Sequence, residues 1–308
     1  MYNCIIVAGP TASGKTKVSV ELAKMLNGEI VNADSMQVYK NLNIGTAKAT
    51  NEEKQNIVHH MLDVVDMFED FTVSDYKEMA LPIIKDIINR GKTPIIVGGT
   101  GFYINSLLYN MDYGNSSKDD TVRQKYEDLA KQYGNEYVHN ILKSVDPESA
   151  NILHANDLKR VIRALEIYDT TGTKKSTMQN TMQSFNTGLN PLIIGLTMDR
   201  EKLYSRINQR VDIMVNDGLI DEVKSLVDLG LNDTHQSMTG IGYKEVLSYI
   251  NNQITLDESI DLIKQNTRHY AKRQITWFKK VPTLNWVDLT NGLTEEILQN
   301  IVNLYNQK

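Results

Sequence analysis

Apolar and polar positions along this chain alternate in two registers. Short runs at 4–9 (CIIVAG), 29–34 (EIVNAD), 93–101 (TPIIVGGTG) and 191–199 (PLIIGLTMD) are apolar nearly throughout, as strands buried on both faces are. Between them the apolar residues recur at helical spacing. In 15–26, Val18, Leu22, Met25 and Leu26 fall on one face. Residues 75–90 repeat the pattern, with Pro82 marking a kink and Gly91 a C-terminal stop. Val- and Ile-rich strands separated by helices predict an α/β fold, a parallel sheet with helices on both faces.

Residues 113–188 depart from this alternation. They hold helical patterns and no convincing strand, between the polar, turn-rich stretches YGNSSKDD (113–120) and TTGTKKS (170–176). The expected organisation is a core domain of residues 1–112 and 189–308 interrupted by a mostly helical insertion, 113–188. After the fourth strand the chain reads as helical from Glu201 to about Arg273, followed by a short strand at 283–289 (TLNWVDL). There is no internal repeat and no low-complexity segment.

Composition narrows the classes. The one cysteine, Cys4, excludes an internal disulfide framework and a multi-cysteine metal site. His59 and His60 are adjacent rather than at metal-ligand spacing and read as structural. No run approaches the ~20 apolar residues of a membrane helix, and the start, MYNCIIVAGP, reads as a strand rather than a signal peptide. The expectation is a cytoplasmic protein without membrane association. The formal net charge of −5 does not mark a nucleic-acid binder, but local patches decide binding. One stretch is uneven: Lys264–Lys280 carries six Lys/Arg and no Asp or Glu. It reads equally as a solvated helix face or as a surface for phosphates. Trp277 and Phe278 within it are residue types more often found in cores.

Chemistry enters with GPTASGKT: Gly9, Pro10, Thr11, Ala12, Ser13, Gly14, Lys15 and Thr16 fit GxxxxGK(S/T). The motif follows a strand and opens a helix, the context it requires. Successive backbone N–H groups and the helix N-terminus cradle phosphate oxygens. Lys15 adds a point charge, and the Thr16 hydroxyl is placed to ligate Mg²⁺. An NTP-hydrolysing enzyme also needs an apolar strand ending in a metal-binding acid. The third strand ends in GGTG instead, and neither Asp66 nor Asp199 makes a persuasive second motif. The pattern therefore favours a diphosphate or triphosphate clamp over ATP hydrolysis. Ligands of open parallel sheets bind at the carboxyl ends of the strands. Two further such ends carry polar residues: Asp34 in NADSMQVY and Thr100 in GGTGFY. By position alone Asp34 also fits a cap or turn residue.

Six strings taken together resemble the bacterial tRNA dimethylallyltransferase (tRNA isopentenyltransferase) family. They are GPTASGKT (9–16), ADSMQVYKNLNIGTAK (33–48), GGTGFY (98–103), VDPESANILHANDLKRVIRALEIY (145–168), GIGYKE (240–245) and HYAKRQITWF (269–278). The resemblance implies a P-loop NTPase-like sheet. It also implies transfer of a dimethylallyl group from dimethylallyl diphosphate to N6 of adenosine 37 of tRNA, with Mg²⁺ and release of diphosphate. On the matching positions it makes Asp34 the catalytic aspartate, with Thr100 and Arg210 contacting the reacting nucleotide and diphosphate. It assigns tRNA contacts to Asp34, Ser35, Met36 and Gln37, to Thr100 and Arg123, to Lys159, Arg160, Val161, Ile162 and Arg163, and to Thr239, Gly240, Ile241, Gly242, Tyr243 and Lys244. The helical insertion is then the part that grips the anticodon stem-loop, with Asp157 capping the helix of KRVIR, and the enzyme is expected to be a monomer. For Arg210 the plain alternative is an ion pair with Asp217 or Asp221, and for the KRVIR cations a solvated basic face. The chain departs from the family pattern at Ala155 (usually Pro), at Phe102 (usually Leu) and after TAKA (46–49), which lacks the proline that commonly follows. A phosphate-loop kinase and a catalytically silent RNA-binding protein are the competing readings. ATP consumption, or a silent single-turnover assay, would favour them.

Overall fold

The protein was described from a computed structural model covering residues 2–109, 119–178, 187–281 and 283–307. The chain forms two compact units, Met1–Leu107 with Gly188–Lys308, and Leu108–Thr187. The turn-rich residues 113–118, expected at the start of the insertion, lie outside the described residues.

The first unit is built on β1 (Cys4–Ala8), β2 (Gly28–Asn32), β3 (His59–His60), β4 (Thr93–Gly98), β5 (Pro191–Thr197) and β6 (Leu284–Asp288). All pairings are parallel, in the order β3-β2-β4-β1-β5-β6. In register, Ile5 lies beside Ile95 and Leu192. β1 is buried along its whole length, because a parallel sheet covered by helices has no wet face. The strands stop short of the apolar runs: β2 at Asn32, β4 at Gly98 and β5 at Thr197. Ala33–Asp34, Gly99–Thr100 and Gly9 are thereby released from the ladder into loops at the carboxyl edge of β2, β4 and β1, three adjacent strands.

Helices in the first part of this unit are α1 (Lys15–Met25), α2 (Asn51–Lys54), α3 (Val73–Asn89) and α4 (Gly101–Leu108). α3 runs unbroken through Pro82, which sits on its exposed side. It ends as expected at Gly91 (φ +71°), where Lys92 N–H donates to Ile87 O and Gly91 N–H to Ile88 O, a Schellman closure. The buried face of α1 differs from the expected one. Val18, Val20, Leu22 and Ala23 are buried, whereas Met25 is 41% exposed. α1 packs on both the sheet and a C-terminal helix, so its apolar surface wraps wider than one stripe.

The second unit is helical: α5 (Asp120–Tyr133), α6 (Asn135–Val145), α7 (Pro147–Ile152), α8 (Leu158–Thr171) and α9 (Lys175–Met178). Its own core gathers Tyr126, Val138, Leu142, Val161 and Leu165. The chain then returns through β5 to α10 (Arg200–Asn216), α11 (Leu219–Asp228), a 3₁₀ turn (Gln236–Thr239), α12 (Tyr243–Ile250), α13 (Leu256–Phe278), β6 and α14 (Glu295–Asn306). Sequence pattern alone does not reveal β3 or α14. β3 is two residues long, and α14 supplies Leu298, Ile301 and Val302 to the main core beside α1. No helix among the described residues is long and apolar enough to cross a membrane.

Candidate active site

The loop Gly9–Thr16 leaves β1 with Gly9 at φ +147°, Ala12 at +62° and Gly14, the residue before α1, at +91°. Positive-φ positions at this spacing are the kind of backbone path from which anion nests are made, although the Thr11 N–H is donated to a side chain and the Ser13 N–H to Pro10 O. Lys15 Nζ folds back onto the loop carbonyls of Gly9 (3.1 Å) and Pro10 (2.8 Å). Burial pulls its pKa down to about 8. The negative charge of Asp34 opposes that fall, and Arg210 adds to it. Lys15, Asp34 and Arg210 thus share one electrostatic field. The Ser13 hydroxyl is buried inside the loop and has no hydrogen-bond partner among the described residues.

Asp34 follows β2. Its Oδ1 accepts from the N–H of Met36 (2.9 Å) and, more weakly, of Gln37 (3.4 Å). One carboxylate oxygen is therefore a turn-former, as position suggested. The other accepts no hydrogen bond among the described residues. Thr100 Oγ1 accepts from Ser35 N–H at 3.1 Å, which locks the end of β4 to the end of β2. That approach demands glycine: a Cβ on Gly98 would sit 2.0 Å from Ala33 O.

A cavity of about 320 Å³ opens on this edge. Thr11, Asp34, Ser35, Met36 and Arg210 line it, with Thr239, Gly240, Ile241, Tyr243 and Lys244 opposite. Two of the expected tRNA-contact segments therefore meet here. Met36 packs on Gly240, whose Cβ, if present, would lie 2.8 Å from Met36 Cε. Arg210 lines the cavity, makes no ion pair with Asp217 or Asp221, and has its pKa lowered by burial. Gln37 is tied elsewhere: its Nε2 donates to Thr46 O (3.0 Å) and Ala47 O (3.3 Å), bracing the loop beside the cavity.

Several contributors were not singled out by sequence. Gln274 on α13, 5% exposed, accepts from Thr11 N–H (2.8 Å) and donates to Gly99 O (3.0 Å). One amide thus joins the phosphate loop to the Thr100 loop. Tyr270, one turn earlier, lines the cavity, and burial, then the Asp34 charge, push its pKa up, so it remains a neutral hydroxyl. Glu222 accepts from the N–H groups of Asn43 (3.0 Å), Ile44 (2.8 Å) and Gly45 (3.1 Å) and from Tyr243 OH (2.6 Å). Burial raises the Tyr243 pKa and the Glu222 charge raises it further, so this hydroxyl keeps its proton. The turn just before TAKA is thus held by a carboxylate. The sequence signal for Gln274 and Tyr270 was that both sit inside HYAKRQITWF; Glu222 had none. Glu222→Ala is expected to leave these donors unsatisfied and to lower stability by about 1–3 kcal/mol, read by urea denaturation. An unchanged midpoint would refute the clamp.

The remaining expected contacts lie in the helical unit. Val161 and Ile162 are core positions there, 0% and 5% exposed, so their side chains are not available to RNA. Lys159 and Arg160 are exposed. Arg160 pairs with Asp157 at 3.1 Å, and Asp157 makes no side-chain cap, contrary to expectation, because its carboxylate is turned to that arginine. Arg163 (2.7 Å) and Arg123 (2.9 Å) both hold Glu166, a fully buried carboxylate that also accepts from Asp119 N–H. Burial pushes the Glu166 pKa up, but the bonds from Arg163, Asp119 N–H and Arg123 outweigh it and hold the group below its ordinary value. Arg163→Ala is therefore expected to cost about 3 kcal/mol by leaving a buried charge half-paired. Lys159→Ala with Arg160→Ala is the clean test of phosphate contact: it should flatten the salt dependence of tRNA binding with no loss of thermal stability. An identical salt slope would remove this face from the RNA site.

Asp199 caps α10 through Glu201 and Lys202 N–H, Asp66 accepts from Phe68 N–H, and neither lines the cavity. His60 pairs with Glu29 and His59 Nδ1 contacts Ile57 O, structural roles as expected. Among the described residues no His, Cys, Asp and Glu cluster could hold a metal. The Thr16 hydroxyl, half-buried where the nest opens, suits Mg²⁺, an ion that takes most of its ligands from phosphate oxygens and water.

A parallel sheet whose first strand runs through a Gly-rich loop into a helix, with Asp34 and the half-buried Arg210 lining a cavity at its carboxyl edge, is a phosphate-loop type of fold with a candidate site. Residues 37–281 match the family model described as IPP transferase, and the chain belongs to that family of tRNA-modifying prenyltransferases. It is 48% identical over 302 residues to a tRNA dimethylallyltransferase of Acetivibrio thermocellus, covering 98% of this chain and 96% of the relative. It is 49% identical over 299 residues to one from Bacillus mycoides, covering 96% and 93%. The structure superposes on the tRNA isopentenylpyrophosphate transferase of Bacillus halodurans with TM-score 0.73 at 43% identity, covering 99% of this chain and 95% of that one. It superposes on a eukaryotic dimethylallyltransferase acting on tRNA with TM-score 0.79 at 32% identity, covering 94% and 75%.

Proposed function

We propose that this transferase moves a dimethylallyl group from dimethylallyl diphosphate to N6 of adenosine 37, beside the tRNA anticodon, with Asp34, Thr100 and Arg210 at the reacting centre. What supports the reading is that Asp34 and Arg210 line one cavity, where Asp34 is the one acid among the described lining residues, while Lys15 of the adjoining loop lies near enough to feel both charges.

The chemistry follows from the groups. An adenine exocyclic amine is a weak nucleophile because its lone pair is delocalised into the ring. Asp34 accepts the N6 proton as the N6–carbon bond forms. The allylic C–O bond breaks and its electron pair leaves with diphosphate. Charge growing on that leaving group is met by loop N–H groups, Lys15 and Arg210. Mg²⁺ beside Thr16 would add further charge stabilisation when bound. Thr100 keeps the Asp34–Ser35 turn in place. Tyr270, protonated, offers a hydroxyl beside Asp34. The adenosine must leave its stack to enter, which costs less in a loop than in a duplex. Lys159, Arg160 and the other cations of the helical unit are proposed to hold the anticodon stem-loop. The setting proposed is a cytoplasmic monomer.

Mass spectrometry of tRNA incubated with the protein, Mg²⁺ and dimethylallyl diphosphate, without ATP, tests the reading. A single adenosine near the anticodon gaining one dimethylallyl group is expected. No mass gain, or transfer only when ATP is consumed, would refute it.

A further inference from the structure

The hydrogen bonding between the two middle strands of the sheet stops at the site, and one side chain takes it over. The β1–β4 ladder ends at Ala8 and Gly98. Just beyond, Thr11 N–H donates to Gln274 Oε1 at 2.8 Å, and Gln274 Nε2 donates to Gly99 O at 3.0 Å. A primary amide carries a donor and an acceptor in one plane, as a peptide unit does. Gln274 therefore supplies a rung that the strands no longer make. Its partners fix which end is which, since an N–H can face only the amide oxygen and a carbonyl only the nitrogen. The approach leaves no room for a side chain opposite: a Cβ on Gly99 would lie 2.0 Å from Nε2. Gln274 is buried, so both bonds are made out of water, where an unmet polar group is costly.

The strands themselves do not need this amide, because the ladder already aligns them. What it joins are two loops that carry candidate reacting groups. Thr11 belongs to the phosphate loop and follows Pro10, whose carbonyl holds Lys15 Nζ at 2.8 Å. Gly99 precedes Thr100. The Thr100 N–H donates to Ala33 O (3.3 Å) and its Oγ1 accepts from Ser35 N–H (3.1 Å), so it grips both chain neighbours of Asp34. A path of hydrogen bonds thus leads from the Lys15 side of the site to the carboxylate. Gln274 does not line the cavity, whereas Tyr270 and Arg273 of the same helix do. Any effect it has on a reaction there passes through the two loops. Transfer needs N6, the allylic carbon and the departing oxygen nearly in line, and a misplacement of about 1 Å costs on the order of 10²-fold.

We propose that Gln274 is a positioning residue for the transfer: its two hydrogen bonds set where the phosphate loop stands relative to Asp34, and so bring the leaving group into line with the amine that Asp34 holds. The inference rests on the transferase reading proposed above.

The test is the pH dependence of single-turnover transfer by Gln274→Glu, taken as a ratio to wild type so that the titration of Asp34 and Lys15 divides out. Ionised, the new carboxylate still accepts from Thr11 N–H but turns a bare oxygen on Gly99 O. Protonated, it regains one acceptor and one donor in the shape of the amide. Burial raises the pKa of such a carboxyl, so the protonated form gains as pH falls from about 9 to about 5.5. The variant is expected to be about 10–10²-fold slower than wild type at the upper pH and within about threefold at the lower. Gln274→Met, of similar volume and without hydrogen bonds, should be slow by a similar factor at both. Affinity for tRNA should be unchanged in either variant, because Gln274 lies outside the cavity lining. A merely structural amide would lower the urea midpoint of both variants and leave the folded proteins with wild-type rates. Wild-type rates in folded Gln274→Met, or a Gln274→Glu ratio that does not improve as pH falls, would overturn the inference alone, provided wild type alkylates tRNA. Wild-type protein without transfer activity would overturn the transferase reading as well.

Discussion

Asparagine at position 34 is expected to lower the single-turnover rate of dimethylallyl transfer by about 10²-fold or more while tRNA binding is retained. The choice of asparagine matters. Oδ1 of Asp34 accepts from Met36 and Gln37 N–H, so alanine would remove a turn as well as a base. Asparagine keeps a carbonyl acceptor for those two donors and removes only the ability to take a proton. Asp34→Ala should therefore lose the same activity and also loosen Ser35, whose N–H is read by Thr100 Oγ1. A single-turnover rate for Asp34→Asn within about threefold of wild type would take Asp34 out of the role of base.

Lys15→Ala is expected to lower transfer by about 10²–10³-fold, the usual loss when one preorganised donor to a developing charge is removed. A pH signature should accompany it. In the unliganded protein burial pulls the Lys15 pKa down to about 8, so its positive charge is lost as pH rises through that value. A bound diphosphate favours the charged form and raises the pKa again. Binding above about pH 8 must then bring a proton with it. Affinity for an alkyl diphosphate should fall by up to about tenfold per pH unit there, and the fall should vanish in Lys15→Ala. The same affinity for wild type at about pH 7 and about pH 9.5 would contradict this.

The loop between β1 and α1 was legible because its shape is written into local backbone needs: glycines for positive φ and a helix that opens at Lys15. Asp34 and Thr100 were legible because parallel strands place their carboxyl ends together. The limits are equally physical. Met25 follows the helical period of α1 yet is exposed, because which flank of a helix is covered depends on α14, far away at the other end of the chain. Glu222 sits on α11 with ordinary helix-surface composition around it, and its four hydrogen bonds arise only from folding. Val161 and Ile162 lie inside a basic string, and helical geometry sends the two kinds of side chain to opposite sides. The Phe102 departure from the family pattern is informative only once Trp277 is found beneath it.

The Gln274 amide has a geometric corollary. It spans a cleft from within a 23-residue rod, so the gap between the two loops is set by a rigid length rather than by the arrival of substrate. Residues added after Phe278 would leave that gap untouched. One residue inserted between Tyr270 and Gln274 would swing the amide through about 100°, and both walls would lose their common tie in a single step.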